Sequence, residues 1–315
     1  MPRMDLVKSI NKAQKVLVYG PPKVGKTEYV GRLAEAGFQL IWLDLEGGAT
    51  TLINRISNEG KKNIWLINVP DTREMPRAAE TVSQIAANFQ KPVKIRVCDL
   101  HGRISCPDCT KKVPDEFVIV DLETLQQDRN YVLVIDSLTQ LDQSIINYIS
   151  RKKDPLNYAN LLDGFDKFEW DDWGDLGIIL RGILQAIQAA PLHIIVISHE
   201  TEVKMTDGSE KIVPAGGTRN FARSNAKYFD HVLYMQVSNN KHTTQSSTLG
   251  SSRIIMGTRS GLDTKKGATL VDILNGKVNT EVESDMQEIT LQDKEKLLEG
   301  TQAETSNLLA KLNKK

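Results

Sequence analysis

Lys15-Val16-Leu17-Val18-Tyr19-Gly20-Pro21-Pro22-Lys23-Val24-Gly25-Lys26-Thr27 is the stretch on which the reading of this chain turns. Its first five residues read as a short buried strand, and a helical pattern runs from Lys26 to Ala36. Between them the spacing G-x-x-x-x-G-K-[ST] is complete. A glycine-rich turn that opens a helix aims backbone N–H groups at phosphate oxygens, and the helix start favours negative charge. The loop residues Gly20, Pro21, Pro22, Lys23, Val24 and Gly25 would wrap a nucleotide triphosphate. Lys26 would reach its β- and γ-phosphates, and Thr27 would place a hydroxyl on Mg²⁺. A chance glycine-rich turn is the alternative, and the strand and helix context argues against it.

Outward from this loop the chain alternates strand and helix signals. Gln39 to Leu45 is an apolar run bounded by Gly47-Gly48, followed by a short helix near 50–57, a strand at 63–69 and a helix at 76–89. That βαβ rhythm predicts a mostly parallel central sheet in an α/β fold. It breaks at 91–121, a small β-rich insertion that holds all the cysteines, and resumes with the strand Tyr131 to Asp136. A helix at 137–150 and a polar, aromatic stretch at 151–173 follow. A long helix ends at Pro191, and a central strand runs from Leu192 to Ser198, ending at His199-Glu200. Asp207-Gly208 then predicts a hairpin between 201–205 and 211–213. A helix at 218–228 and strands at 231–237 and 253–257 complete a domain spanning 1–280, and 281–315 reads as a polar helical tail.

Composition narrows the partners. Charged residues at 25% and hydrophobic ones at 40% suit one sizeable core, and 40 Lys plus Arg balance 40 Asp plus Glu. A nucleic-acid partner would therefore need a local basic patch. The first fifteen residues lack an apolar leader pattern, and no stretch has the length of a membrane span, so a soluble cytoplasmic protein is expected. Three cysteines confined to 98–109 make no disulfide framework, which suits a reducing compartment.

Several side chains fall where chemistry would need them. Asp136, after four apolar residues, has the form of a Walker B carboxylate holding Mg²⁺, with a helix N-cap as the alternative. No glutamate is adjacent to it, so the carboxylate that polarises attacking water would be Glu46, at the carboxyl end of the strand after the phosphate loop. A solvated loop glutamate is the alternative there. His199 could sense the γ-phosphate or be a satisfied surface histidine. Cys98-x2-His101-x4-Cys106-x2-Cys109 is compatible with a closed, structural tetrahedral Zn²⁺ site, and unliganded thiols in a hairpin are the alternative.

Gly20 to Thr27, Asp44-Leu45-Glu46-Gly47-Gly48 and Asp136-Ser137 together resemble the RecA-type ATPase core. Asp172-Trp173-Gly174, Ser198-His199-Glu200, Val213 to Asn220, Tyr228-Phe229-Asp230 and Thr258 to Gly261 resemble, more narrowly, phage-encoded RecA-like proteins of the Sak single-strand annealing group. The resemblance implies a RecA-like P-loop NTPase that turns ATP over slowly, assembles as a ring or filament, and binds single-stranded DNA in phage recombination. A single-strand-binding or replication protein would be a further partner. It implies that Glu46 activates water, that His199 links the γ-phosphate to the loop beyond, and that Arg259, with Lys265 or Lys266 behind it, completes a neighbour's ATP site. A surface arginine is the alternative for Arg259. DNA would meet the loops at 151–173 and 201–227, the latter carrying Lys204, Lys211, Arg219, Arg223 and Lys227. A helix over 218–228 would line up the last three on one face. Phe165, Phe168, Trp170 and Trp173 stand among acidic residues and read as packing or subunit-interface groups. Other readings of the same core are a RecA-fold helicase or packaging motor, and a nucleotide-gated adaptor without DNA activity.

Overall fold

A computed structural model describes residues 12–98, 101–104, 106, 117–153, 168–238, 241–246 and 253–277. Cys109, Phe165 and the 281–315 tail lie outside the described residues.

Strand β1 (Lys15–Gly20) is buried along its whole length and lies between two parallel neighbours, β7 (His193–Lys204) and β9 (His231–Ser238). Beyond β7 come β6 (Tyr131–Asp136), β2 (Gln39–Asp44) and β3 (Ile64–Asn68), all parallel. The mostly parallel α/β sheet expected from the strand and helix rhythm is therefore present. Because both faces are covered, its strands are almost continuously apolar, and alternate residues serve opposite layers. Val16, Val18, Ile195 and Ile197 pack under helix α1 (Lys26–Gly31) and α2 (Thr50–Arg55), against Val30, Leu33 and Leu52. Leu17, Tyr19, Ile194 and Val196 face the other layer. There α4 (Arg77–Ala86), α6 (Leu138–Lys153) and α7 (Trp170–Ala189) supply Val82, Ile85, Leu141, Ile145, Leu180 and Leu184.

The short helix α3 (Asn58–Lys61) precedes β3, and α5 (Leu122–Gln127) precedes β6. The interruption at 91–121 contains an antiparallel pair apart from the main sheet, β4 (Lys94–Cys98) with β5 (Phe117–Asp121). β7 is twice as long as β1: its first half is buried mid-sheet, and its second half leaves the sheet to pair with β8 (Glu210–Pro214). The Asp207-Gly208 hairpin is thus an extension of the central strand.

Three expectations fail locally. The helix at 218–228 is α8 (Arg219–Ala222) and a separate 3-10 turn, Asn225–Tyr228. Ser224 leaves helical geometry at φ −124° and ψ −2°, and the buried Asn225 amide donates to the Pro214 carbonyl at 2.8 Å, pulling the chain onto β8. The proposed one-face stripe of Arg219, Arg223 and Lys227 therefore does not exist. The helix after the phosphate loop ends at Gly31 and tightens to 3-10 over Arg32–Ala34, and Gly31 leaves room there for the Leu52 side chain. Only Gly257–Thr258 of the strand at 253–257 joins a ladder, as β11 on β9. The polar edge strand β10 (Lys241–Gln245) was not anticipated, and α9 (Leu270–Leu274) follows. Among the described residues no helix is long and apolar enough to cross a membrane.

Candidate functional site

The carboxyl ends of β1, β2, β6 and β7 surround a cleft of about 480 Å³ lined by Lys23, Gly25, Lys26, Thr27, Glu46, Asp136, Ser137 and His199. That size lies within the range of small-molecule sites. The phosphate loop needs its glycines. Gly25 adopts a left-handed φ of +85°, and Gly20, at φ +152°, passes so close to β9 that an added Cβ would lie 2.1 Å from the Met235 carbonyl oxygen. Lys23 is itself left-handed at φ 65°.

Lys26 is 6% exposed, with its ammonium on the Gly20 and Pro21 carbonyls at 3.0 and 2.7 Å and 3.5 Å from His199 Nδ1. Burial lowers its pKa against the opposing pull of Asp136, Glu46 and Glu200. Thr27 donates its hydroxyl to Asp136 at 3.0 Å. Asp136 is pushed up to about 7, first by burial and then by the negative charges of Glu46 and Asp44, with Thr27 and Lys26 pulling the other way. A buried carboxylate beside a hydroxyl, in a negative surround, is a hard oxygen donor set that suits Mg²⁺. The carboxylate is stable there once a divalent charge offsets its desolvation. The N-cap alternative does not describe its contacts.

Glu46 is held by the turn that follows β2. Asp44 accepts the Gly48 and Ala49 N–H groups at 3.0 and 2.9 Å, Gly47 turns left-handed at φ 74°, and Leu45 N–H donates to the Asp136 carbonyl at 2.6 Å. This chemistry explains the run Asp44-Leu45-Glu46-Gly47-Gly48: the aspartate closes the turn and the glycine permits it. Glu46 Oε1 accepts from the Ser137 hydroxyl and lies 3.2 Å from His199 Nε2. Burial would raise its pKa, but His199, Ser137 and the charge of Lys26 outweigh that and hold it below the ordinary glutamate range. His199 is placed from behind, its backbone N–H donating to the Thr139 hydroxyl at 3.0 Å.

Two contributors were missed. Ser137 enters the sequence reading only as part of the Asp136-Ser137 motif, with no role of its own, although its place beside a Walker B carboxylate is a usable signal. His242 donates to the Val24 carbonyl at 2.8 Å from β10. Nothing in the polar run Lys241-His242-Thr243-Thr244-Gln245 marks it, because it reaches the loop only through sheet pairing.

Arg259 does not reach the cleft. It sits where β11 meets the start of β9, at the opposite edge of the sheet, ion-paired with Asp230 at 3.0 Å.

Arg219 and Arg223 line a groove of about 890 Å³ with Trp170, Trp173 and Ile178. Arg223 donates to the Lys204 carbonyl. Lys204 and Lys211 lie on the hairpin, and Lys227 is over the Tyr228 ring at 5.1 Å. Of the aromatics read as packing or subunit-interface groups, Trp170 is 89% exposed, and Trp173, 42% exposed, packs edge-on against Phe168 at 4.7 Å. Cys98, His101 and Cys106 converge in the insertion.

The model of the AAA domain family matches residues 12–269, most of the chain. This protein belongs to the AAA domain family. The match takes in every element around the cleft, so the phosphate loop and the side chains that face it belong to the AAA domain. Among solved structures, the crystal structure of the RadB recombinase is similar at 16% identity, over 74% of this chain and 80% of that one, with a TM-score of 0.38. No curated protein matches this AAA domain chain.

Proposed function

We propose that the chain hydrolyses ATP with Mg²⁺ in a homo-oligomer and uses the nucleotide state to hold and anneal single-stranded DNA, as the Sak-type motifs at 213–220 suggest for phage recombination. The carrying observation is the path of β7. One twelve-residue strand presents His199 to Lys26 and Glu46 in the cleft, and ends at Lys204, whose carbonyl receives Arg223 of the tryptophan-lined groove.

In this reading Glu46, ionised and aimed by Ser137, takes a proton from the water that attacks the γ-phosphorus. Lys26 offsets charge on the transferring phosphoryl group, with loop N–H groups holding the rest of the phosphate chain. Mg²⁺, held by Thr27 and Asp136, would neutralise the β- and γ-oxygens. His199 touches both Lys26 and Glu46 and so would report the occupant of the cleft along β7. Trp170 and Trp173 offer stacking faces, with Arg219 and Arg223 beside them for phosphates. Arg259, at the opposite edge of the sheet, could serve only a neighbouring subunit's site.

The test is the ATPase rate with and without single-stranded DNA, at two salt concentrations and several protein concentrations. Stimulation that weakens with salt and grows with protein concentration supports the reading. Tight ATP binding without DNA-stimulated turnover would leave the nucleotide-gated adaptor, and strand displacement would leave the motor.

A further inference from the structure

Away from the cleft, the insertion brings two thiols and an imidazole together. Cys98 and Cys106 are both fully buried, and each sulfur lies 3.6 Å from the same nitrogen, Nδ1 of His101. All three donor atoms fall within 4.8 Å of one another. Zn–S near 2.3 Å and Zn–N near 2.05 Å at the tetrahedral angle place sulfur and nitrogen about 3.6 Å apart. Hydrogen bonding accounts less well for the pair of distances, because one ring nitrogen has either one proton or one lone pair, whereas two sulfurs stand equally close to it.

The backbone supporting the trio is itself held firmly. Cys98 N–H donates to the Arg103 carbonyl at 2.9 Å, and Gly102 N–H to the Cys98 carbonyl at 2.8 Å. Gly102, left-handed at φ 58°, presses onto the end of β3 so closely that a Cβ there would lie 2.8 Å from the Asn68 carbonyl oxygen and 2.6 Å from Cα of the next residue, Val69. Arg77 donates to the His101 carbonyl at 3.0 Å, and the Thr81 hydroxyl to the Gly102 carbonyl at 2.6 Å, both from α4. The ligand turn is thus fixed to the main domain.

We propose that Cys98, His101 and Cys106 bind one zinc-class divalent ion as a structural clasp, with the fourth position taken by a donor outside this trio, closing the insertion's turn on itself where it rests against α4. The donor set is soft to borderline, which favours Zn²⁺ over the Mg²⁺ that the oxygen ligands of the cleft select. No member of the trio lines the nucleotide cleft, so the clasp is independent of the reading of ATP and DNA.

Metal analysis of the full-length protein, purified under reducing conditions and dialysed against a weak chelator, is expected to find about one zinc per chain. Cys98→Ser with Cys106→Ser should reduce that to under about a tenth, and a strong chelator should lower the melting temperature of the wild type. Metal retained by the double variant would overturn the assignment, as would a metal-free wild type or a Cys98–Cys106 disulfide. Should the variant fail to fold, cobalt exchange into the wild type decides. Intense thiolate-to-cobalt charge transfer with tetrahedral bands supports the clasp, and weak octahedral bands sink it.

Discussion

A base must be ionised, aimed and close, and the three requirements fall on different side chains here. Lys26 and His199 help keep Glu46 charged, while Ser137 and the Asp44-braced turn aim it. Glu46→Gln preserves the shape and the hydroxyl's acceptor but removes the proton sink. Turnover should fall by at least about 100-fold while nucleotide affinity changes by less than about threefold, read by steady-state ATPase and equilibrium nucleotide titration. Ser137→Ala, which removes the hydroxyl that aims Glu46 and helps keep it ionised, should lower kcat about tenfold at an unchanged KM. Unchanged turnover in the glutamine variant would place the base elsewhere. Lys26, Thr27, Glu46 and Asp136 were legible in the sequence because each lies within a few residues of a strand end. His242 was not, because its place above the phosphate loop depends on a sheet edge formed more than two hundred residues later.

Elements fail to be read where tertiary contacts override local propensity. Residues 218–228 have helical spacing, yet Asn225 exchanges one helical turn for a bond to β8, so three basic residues that would share a helix face are separated. Arg219 and Arg223 instead line one groove with Trp170 and Trp173. That grouping distinguishes stacking from charge. Trp170→Ala should weaken single-stranded DNA binding about 5- to 100-fold with an unchanged salt slope. Arg219→Ala should reduce the slope of log affinity against log salt by about one. Fluorescence anisotropy across a salt series measures both, and variants that bind like the wild type would remove the groove from the DNA path. The strands, by contrast, were mostly readable, since a sheet buried on both faces leaves apolar runs that no local contact can disguise.

At the scale of the whole molecule, the two ends of the sheet carry opposite pH dependences. At its amino-terminal edge, His193 accepts the Gln14 N–H at 3.1 Å and His231 bonds the Gln14 side chain at 2.9 Å. Burial depresses them to about 3 and about 4, aided by Arg129 and Lys15 at His193 and by Arg259 at His231, where Asp230 opposes the shift. Because the unfolded chain takes up these protons near pH 6.5 and the folded chain resists, stability is full above that pH and falls as pH drops toward the folded values. Between pH 7 and pH 5 each histidine contributes a loss of up to roughly 2 kcal/mol. At the carboxyl edge the sign reverses. Burial raises Asp136 to about 7 and Asp142 to about 6, so the folded state binds protons there first and gains stability over the same interval. Wild-type stability should therefore change little from pH 7 to pH 5. A variant with His193→Asn and His231→Gln, which keeps an acceptor and a donor for Gln14 but cannot titrate, should grow more stable relative to wild type as pH falls. Urea midpoints at both pH values measure the difference; parallel behaviour would mean that the histidines titrate alike folded and unfolded.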